Sequence, residues 1–147
     1  MMLSEELYPQ RVFYYFEQIA AIPHGSRNTK AISDYLVDFA KEHNLVWYQD
    51  ENNNVVIVKE ASAGYEAAEP IIIQGHMDMV CEKEKGVDID FEKDGLKLYI
   101  DGDFLKAEGT TLGGDDGIAV AYALALLDSQ EIAHPKLEVV ITVDEEI

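Results

Sequence analysis

The run Ile71-Ile72-Ile73-Gln74-Gly75-His76-Met77-Asp78-Met79-Val80 constrains this chain more than any other stretch. Consecutive β-branched residues crowd a helix but fit an extended backbone, so Ile71 to Ile73 predicts a strand. An unbroken apolar run, in place of polar–apolar alternation, is the pattern of an interior strand buried on both faces of an α/β sheet. The chain then turns polar at once, and the strand delivers His76 and Asp78 at its end. A histidine and an aspartate two residues apart suit a metal site, with the imidazole as ligand and the carboxylate orienting it. The pair is common, however, and needs support from elsewhere in the chain.

The flanking segments supply a sheet for this strand and a cover for the sheet. Ser4, Glu5 and Glu6 predict a helix start, and Leu7, Val12, Phe16, Ile19 and Ile22 carry it at near-helical spacing to Pro23. A second helix is expected from about Ser26, with Ala31, Ile32, Tyr35, Leu36, Phe39 and Ala40 on one stripe. Leu45 to Tyr48 and Val55 to Val58 flank the turn-rich segment Asp50 to Asn54 and predict a hairpin. Short strands are expected at Leu96 to Ile100 and Phe104 to Ala107. Ile118 to Leu127, rich in Ala and Leu and apolar nearly all round, predicts a buried helix, and Leu137 to Val143 a further strand. The fold class is α/β, a mixed β-sheet flanked by helices.

Charge narrows the partners. The chain has 147 residues, enough for one domain with a real core, and carries 29 Asp and Glu against 11 Lys and Arg, a net charge of −18. Such a surface repels nucleic acid and anionic membranes and favours cations. A single cysteine, Cys81, forbids an internal disulfide and fits a reducing compartment. With no apolar run of membrane-spanning length, a cytoplasmic location is expected. A catalytic role for Cys81 is disfavoured, because no basic neighbour in sequence would lower its pKa. Asp90, Glu92, Asp94, Gly95 and Asp101 loosely follow a calcium-loop spacing, but Lys97 sits within the loop and no flanking helices are expected. The glycine-rich segment Gly109 to Gly117 lacks the lysine and hydroxyl of a phosphate loop, and its two acids would repel an anion.

Three acid-bearing segments share one structural position. His76 with Asp78, Asp115 with Asp116, and Glu145 with Glu146 each follow a predicted strand or open a predicted helix. Where such strands are neighbours, a histidine and several carboxylates can hold two divalent ions, and a further glutamate can act as general base on water.

Gly-His-Met-Asp-Met-Val, Gly-Thr-Thr-Leu-Gly-Gly-Asp-Asp-Gly-Ile-Ala and Asp-Glu-Glu closely resemble the M20 family of dinuclear zinc peptidases, and within it the Xaa-His dipeptidase branch. The resemblance runs through essentially the whole chain, including Ile-Pro-His at 22 to 24 and Tyr-Ile-Asp-Gly-Asp at 99 to 103. It implies that His76 binds one zinc, Asp115 bridges both, and Glu146 binds the other. Asp78 would orient His76, and Glu145 would be the general base and acid. Cobalt or manganese are alternatives to zinc. It also implies a cis peptide bond between Asp115 and Asp116. The implied reaction is hydrolysis of dipeptides, of the Xaa-His class, by water bridging two metals, with a tripeptidase, an acyl-amino-acid hydrolase or a non-catalytic metal-binding module as alternatives. On this reading residues 1 to 147 are the N-terminal part of a phosphorylase/hydrolase-like catalytic domain. The rest of the family pattern would supply a further carboxylate, a later histidine and an inserted substrate-binding domain that assists homodimer formation. The chain ends on acids at a strand tip, which suggests truncation, and the piece alone is expected to be inactive.

Overall fold

The computed structural model describes residues 2–147. A short 3₁₀ turn, Leu3–Glu6, precedes helices α1 (Gln10–Ala20) and α2 (Lys30–Glu42). Strands β1 (Val46–Gln49), β2 (Val55–Lys59) and β3 (Ile71–His76) follow, then a separate hairpin of β4 (Leu98–Asp101) and β5 (Phe104–Ala107). Helix α3 (Gly114–Asp128) and strand β6 (Leu137–Thr142) complete the fold. The main sheet has the order β1-β2-β6-β3. β1, β2 and β6 pair antiparallel, whereas β3 runs parallel to β6, so the sheet is mixed as expected. No helix among the described residues is long and apolar enough to cross a membrane.

All three helices share one face of the sheet. Val55 and Ile57 on β2 and Val139 and Ile141 on β6 are buried in a single core with Ile32 and Leu36 of α2, Phe16 and Ile19 of α1 and Val120 and Leu124 of α3. Intervening residues of β2 and β6 are only half-buried, the alternation of a sheet covered on one side. Removing each such Ile, Leu or Phe side chain from water contributes roughly 1.5–3 kcal/mol, so this face carries most of the stability.

Two expectations are corrected. The Ile71–Ile73 strand is not interior: β3 is the last strand of the sheet, and Ile72, on the uncovered face, is 66% exposed. An apolar run shows that a strand is extended but does not show what packs on its sides. Nor does a helix run from Ser4 to Pro23. Pro9, joined to Tyr8 by a cis peptide, stands at the N-cap of α1, which begins only at Gln10. The amides of Leu3 and Ser4 donate instead to the Glu17 carboxylate of α1, at 3.1 and 3.2 Å.

Candidate metal centre

Parallel pairing brings the ends of β3 and β6 together, with His76 opposite Thr142, so the segments after both strands emerge side by side. The Met77 amide donates to the Thr142 carbonyl at 2.8 Å, extending the contact. The carboxyl ends of parallel strands are where such sheets bind ligands. The first turn of α3 adds Asp115 and Asp116, which stand in non-helical conformations joined by a cis peptide bond, the isomer the motif resemblance implies. Two glycines make the approach feasible. A Cβ on Gly75 would stand 2.8 Å from Asp116 Oδ2, which instead accepts the His76 amide at 3.2 Å. Gly113 adopts φ 72°, a conformation L side chains rarely take, and a Cβ there would press on the Met79 sulfur at 2.9 Å.

His76 is held in one orientation. Its Nδ1 lies 3.0 Å from the Asp78 carbonyl oxygen, which can only accept, so Nδ1 carries the proton. Nε2 then faces Asp115 Oδ1 at 3.0 Å, Glu145 Oε2 at 3.8 Å and Glu146 Oε1 at 4.0 Å. Burial disfavours charge on this imidazole, but the Asp115 hydrogen bond, the Asp78 carbonyl and neighbouring acids outweigh it and raise its pKa above the ordinary value.

Asp78 organises the centre from beneath. It is 1% exposed. Its Oδ2 accepts the Ser26 hydroxyl at 2.7 Å and the Glu146 amide at 3.2 Å, while Oδ1 accepts the Glu145 amide at 3.1 Å and lies 3.3 Å from His76 Nδ1. One carboxylate therefore fixes the imidazole and both glutamates. Burial opposes its ionisation, yet these donors hold its pKa below the usual carboxylate range.

His76, Asp115 and Glu146 offer ligand atoms within 4.8 Å of one another. One imidazole nitrogen and two carboxylates are a donor set for zinc, with manganese or cobalt also accommodated. The electrostatics agree: a buried Nε2 ringed by three carboxylates is an acceptor among acceptors unless a proton or a metal ion lies between them. The Glu145 side chain, 61% exposed, borders the group without being part of it.

The structure thus brings together all five residues singled out from sequence: His76, Asp78, Asp115, Glu145 and Glu146. It also adds supports that sequence reading missed. Asn54 Oδ1 accepts the Val143 amide at 2.9 Å, and Asp144 Oδ1 accepts the Arg27 amide at 2.6 Å. Ser26, Asn54 and Arg27 lie far from their partners in sequence, and the Ile-Pro-His turn just before Ser26 was the one available signal. The calcium-loop acids do not converge. Asp90 and Asp94 bond backbone amides of their own turn, and Asp101 pairs with Lys106. Burial and the neighbouring Glu82 push the Cys81 thiol pKa up, away from reactivity.

The chain is similar to dipeptidases over nearly its whole length. It is 42% identical over 141 residues to the cytosol non-specific dipeptidase of Escherichia coli, a match covering 96% of this chain and 29% of that protein. The aminoacylhistidine dipeptidase of Vibrio alginolyticus superposes with a TM-score of 0.94 at 40% identity, covering 97% of this chain and 29% of the other. A tripeptidase from Staphylococcus aureus shares the fold with a TM-score of 0.73 at 24% identity, over 93% of this chain and 37% of its own. No family profile matches the chain. The resemblance read from the motifs therefore holds over nearly the whole chain, which spans 29% of the length of the two dipeptidases.

Proposed function

We propose that residues 1–147 are the metal-binding N-terminal part of an M20-type catalytic domain that hydrolyses dipeptides, with Xaa-His dipeptides as the substrate class. The observation that carries this is the committed His76 ring, whose Nε2 is aimed into the Asp115, Glu145 and Glu146 carboxylates. His76, Asp115 and Glu146 would hold two divalent ions, zinc by donor chemistry, with Asp115 shared. When bound, the metals would supply Lewis acidity to the scissile carbonyl and acidify water.

The chain's own residues divide the remaining work. Asp78 fixes the imidazole through the hydrogen-bond frame beneath it. Glu145, exposed beside the ligand group, takes the proton from the attacking water and returns it to the departing amine. Supporting the substrate class are two relatives, a cytosol non-specific dipeptidase and an aminoacylhistidine dipeptidase. The cytosolic location of the first supports a cytoplasmic setting. Segments beyond this chain would supply the remaining ligands, the substrate-binding domain and homodimer contacts. Nucleic acid and membranes are not expected partners of a surface with net charge −18.

The test is dipeptide hydrolysis by the full-length zinc enzyme. Replacing Glu145 by Gln is expected to lower kcat by roughly 10²–10⁴-fold while sparing metal content, the loss typical of a missing general base. Retained kcat would remove Glu145 from the mechanism. Robust turnover of alanyl-histidine by the isolated chain of 147 residues would refute the dependence on further segments.

A further inference from the structure

Beside the metal centre a groove of about 380 Å³ runs between the 25–28 turn and the 79–82 segment, and Glu146 borders it. Of its charged lining residues, Glu82, Glu92 and Glu146 are acids and Arg27 is the one cation. Arg27 has no partner for its guanidinium among the described residues, in a chain where acids outnumber Lys and Arg by 29 to 11. The Asp144 carboxylate is engaged by the Arg27 backbone amide, at 2.6 Å.

The backbone at Arg27 is held in place. Arg27 and Asp144 are both non-glycine residues with positive φ, 66° and 55°, a conformation rarely adopted without support. The neighbouring Ser26 donates its hydroxyl to Asp78, and the Ser26 amide donates to the Met79 carbonyl at 3.4 Å. These bonds fix the base of an otherwise free guanidinium relative to His76 and both glutamates. Rotamer freedom remains only in the side chain, so the cation can swing to a ligand without moving the centre.

A peptide is zwitterionic, and an acid-lined groove repels its anionic end. We propose that Arg27 is a positioning residue that binds a carboxylate of a peptide lodged in this groove, a planar two-oxygen group matched by the guanidinium fork. This rests on the peptidase reading above. Two sources present that chemistry, the C-terminal carboxylate and an acidic side chain at the N-terminal residue, and both are separable by choice of peptide.

The experiment is equilibrium binding to the full-length zinc protein, followed by amide and Arg27 Nε–Hε chemical shifts. Every sample carries Glu145→Gln to halt turnover, so that wild type denotes intact Arg27. The probes are alanyl-leucine, alanyl-leucinamide and aspartyl-leucinamide. Wild type is expected to bind alanyl-leucine or aspartyl-leucinamide about fivefold more tightly than alanyl-leucinamide, the size of a solvent-accessible ion pair. The favoured peptide alone should shift the Arg27 Nε–Hε signal. Arg27→Met should bring its affinity down to the amide's, and Arg27→Lys should restore part of the difference. A preference for alanyl-leucine assigns the C-terminal carboxylate, and one for aspartyl-leucinamide the side chain. The inference is overturned if wild type shows no preference, if Arg27→Met keeps it, or if the Nε–Hε signal stays still. Should Arg27→Met fail to fold, that wild-type signal decides the matter. Absence of binding by all three peptides strikes the peptidase reading itself, whereas binding indifferent to Arg27 strikes only this residue.

Discussion

Two histidine–carboxylate clusters among the described residues differ in how their charge is balanced. Near the C-terminal end of α3, His43 contacts the Phe39 carbonyl through Nδ1 at 2.8 Å and Asp128 through Nε2 at 2.9 Å. At the end of β3, His76 makes the same pair of contacts with the Asp78 carbonyl and Asp115, both at 3.0 Å. At Asp128, however, a permanent cation is present, because Arg11 Nε donates to the carboxylate at 2.8 Å and the guanidinium also reaches Tyr15. At His76, Asp115, Glu145 and Glu146 share one imidazole, and no Lys or Arg side chain among the described residues pairs with them. A histidine beside an aspartate is therefore not a metal site in itself; the surplus of carboxylate over cation distinguishes the second cluster from the first.

The largest expected effect comes from the carboxylate under the acid-rich cluster. Asp78→Ala should destabilise the chain by about 3 kcal/mol in urea unfolding, since it strands the Ser26, Glu145 and Glu146 donors. A loss below about 1 kcal/mol would mean that those bonds are replaced by water. Gly75→Ala is expected next. Its Cβ must displace the Asp116 carboxylate, at a cost of roughly 1–3 kcal/mol with weakened zinc binding, read by the same unfolding experiment and by metal titration.

In the balanced cluster, Asp128→Asn should cost about 1–2 kcal/mol and leave zinc affinity alone. Its pH dependence has a definite sign. Burial opposes ionisation of Asp128, but the Arg11 and His43 hydrogen bonds outweigh it and hold its pKa below the usual range. The unfolded chain then binds the proton more readily, so this contribution is present above about pH 4 and lost as pH falls through the folded-state value. Stability curves of wild type and Asp128→Asn should accordingly converge in acid. The smallest expected effect concerns protons at the other histidine. Because the raised pKa of His76 lets a proton compete with metal, zinc affinity should fall on acidification, beginning above the ordinary histidine value. A flat zinc-affinity profile between pH 8 and about 6 would contradict that competition.

Local pattern made several elements legible. The β1–β2 hairpin followed from two apolar runs around Asp50 to Asn54, and α3 from its Ala and Leu content, because both depend on neighbours in sequence. Family motifs brought out the five residues of the centre. What stayed hidden depends on distant partners. Ile72 looks the same in sequence whether a helix covers it or solvent does, and here the helices occupy only the opposite face. The break before α1 follows from Pro9, which has no amide to donate, although Ser4 is the better cap by residue type. The Ser26, Asn54 and Arg27 supports join residues whose meeting is decided only by the packed sheet ends.

Uncompensated carboxylate, rather than a histidine–aspartate pair as such, would make the end of β3 a metal centre. Calorimetric titration of zinc into the wild-type chain, Asp115→Ala and Asp128→Ala tests it most directly. Asp115→Ala is expected to abolish the zinc heat, and Asp128→Ala to leave it unchanged. Zinc binding that survives Asp115→Ala, or is lost with Asp128→Ala, would contradict it.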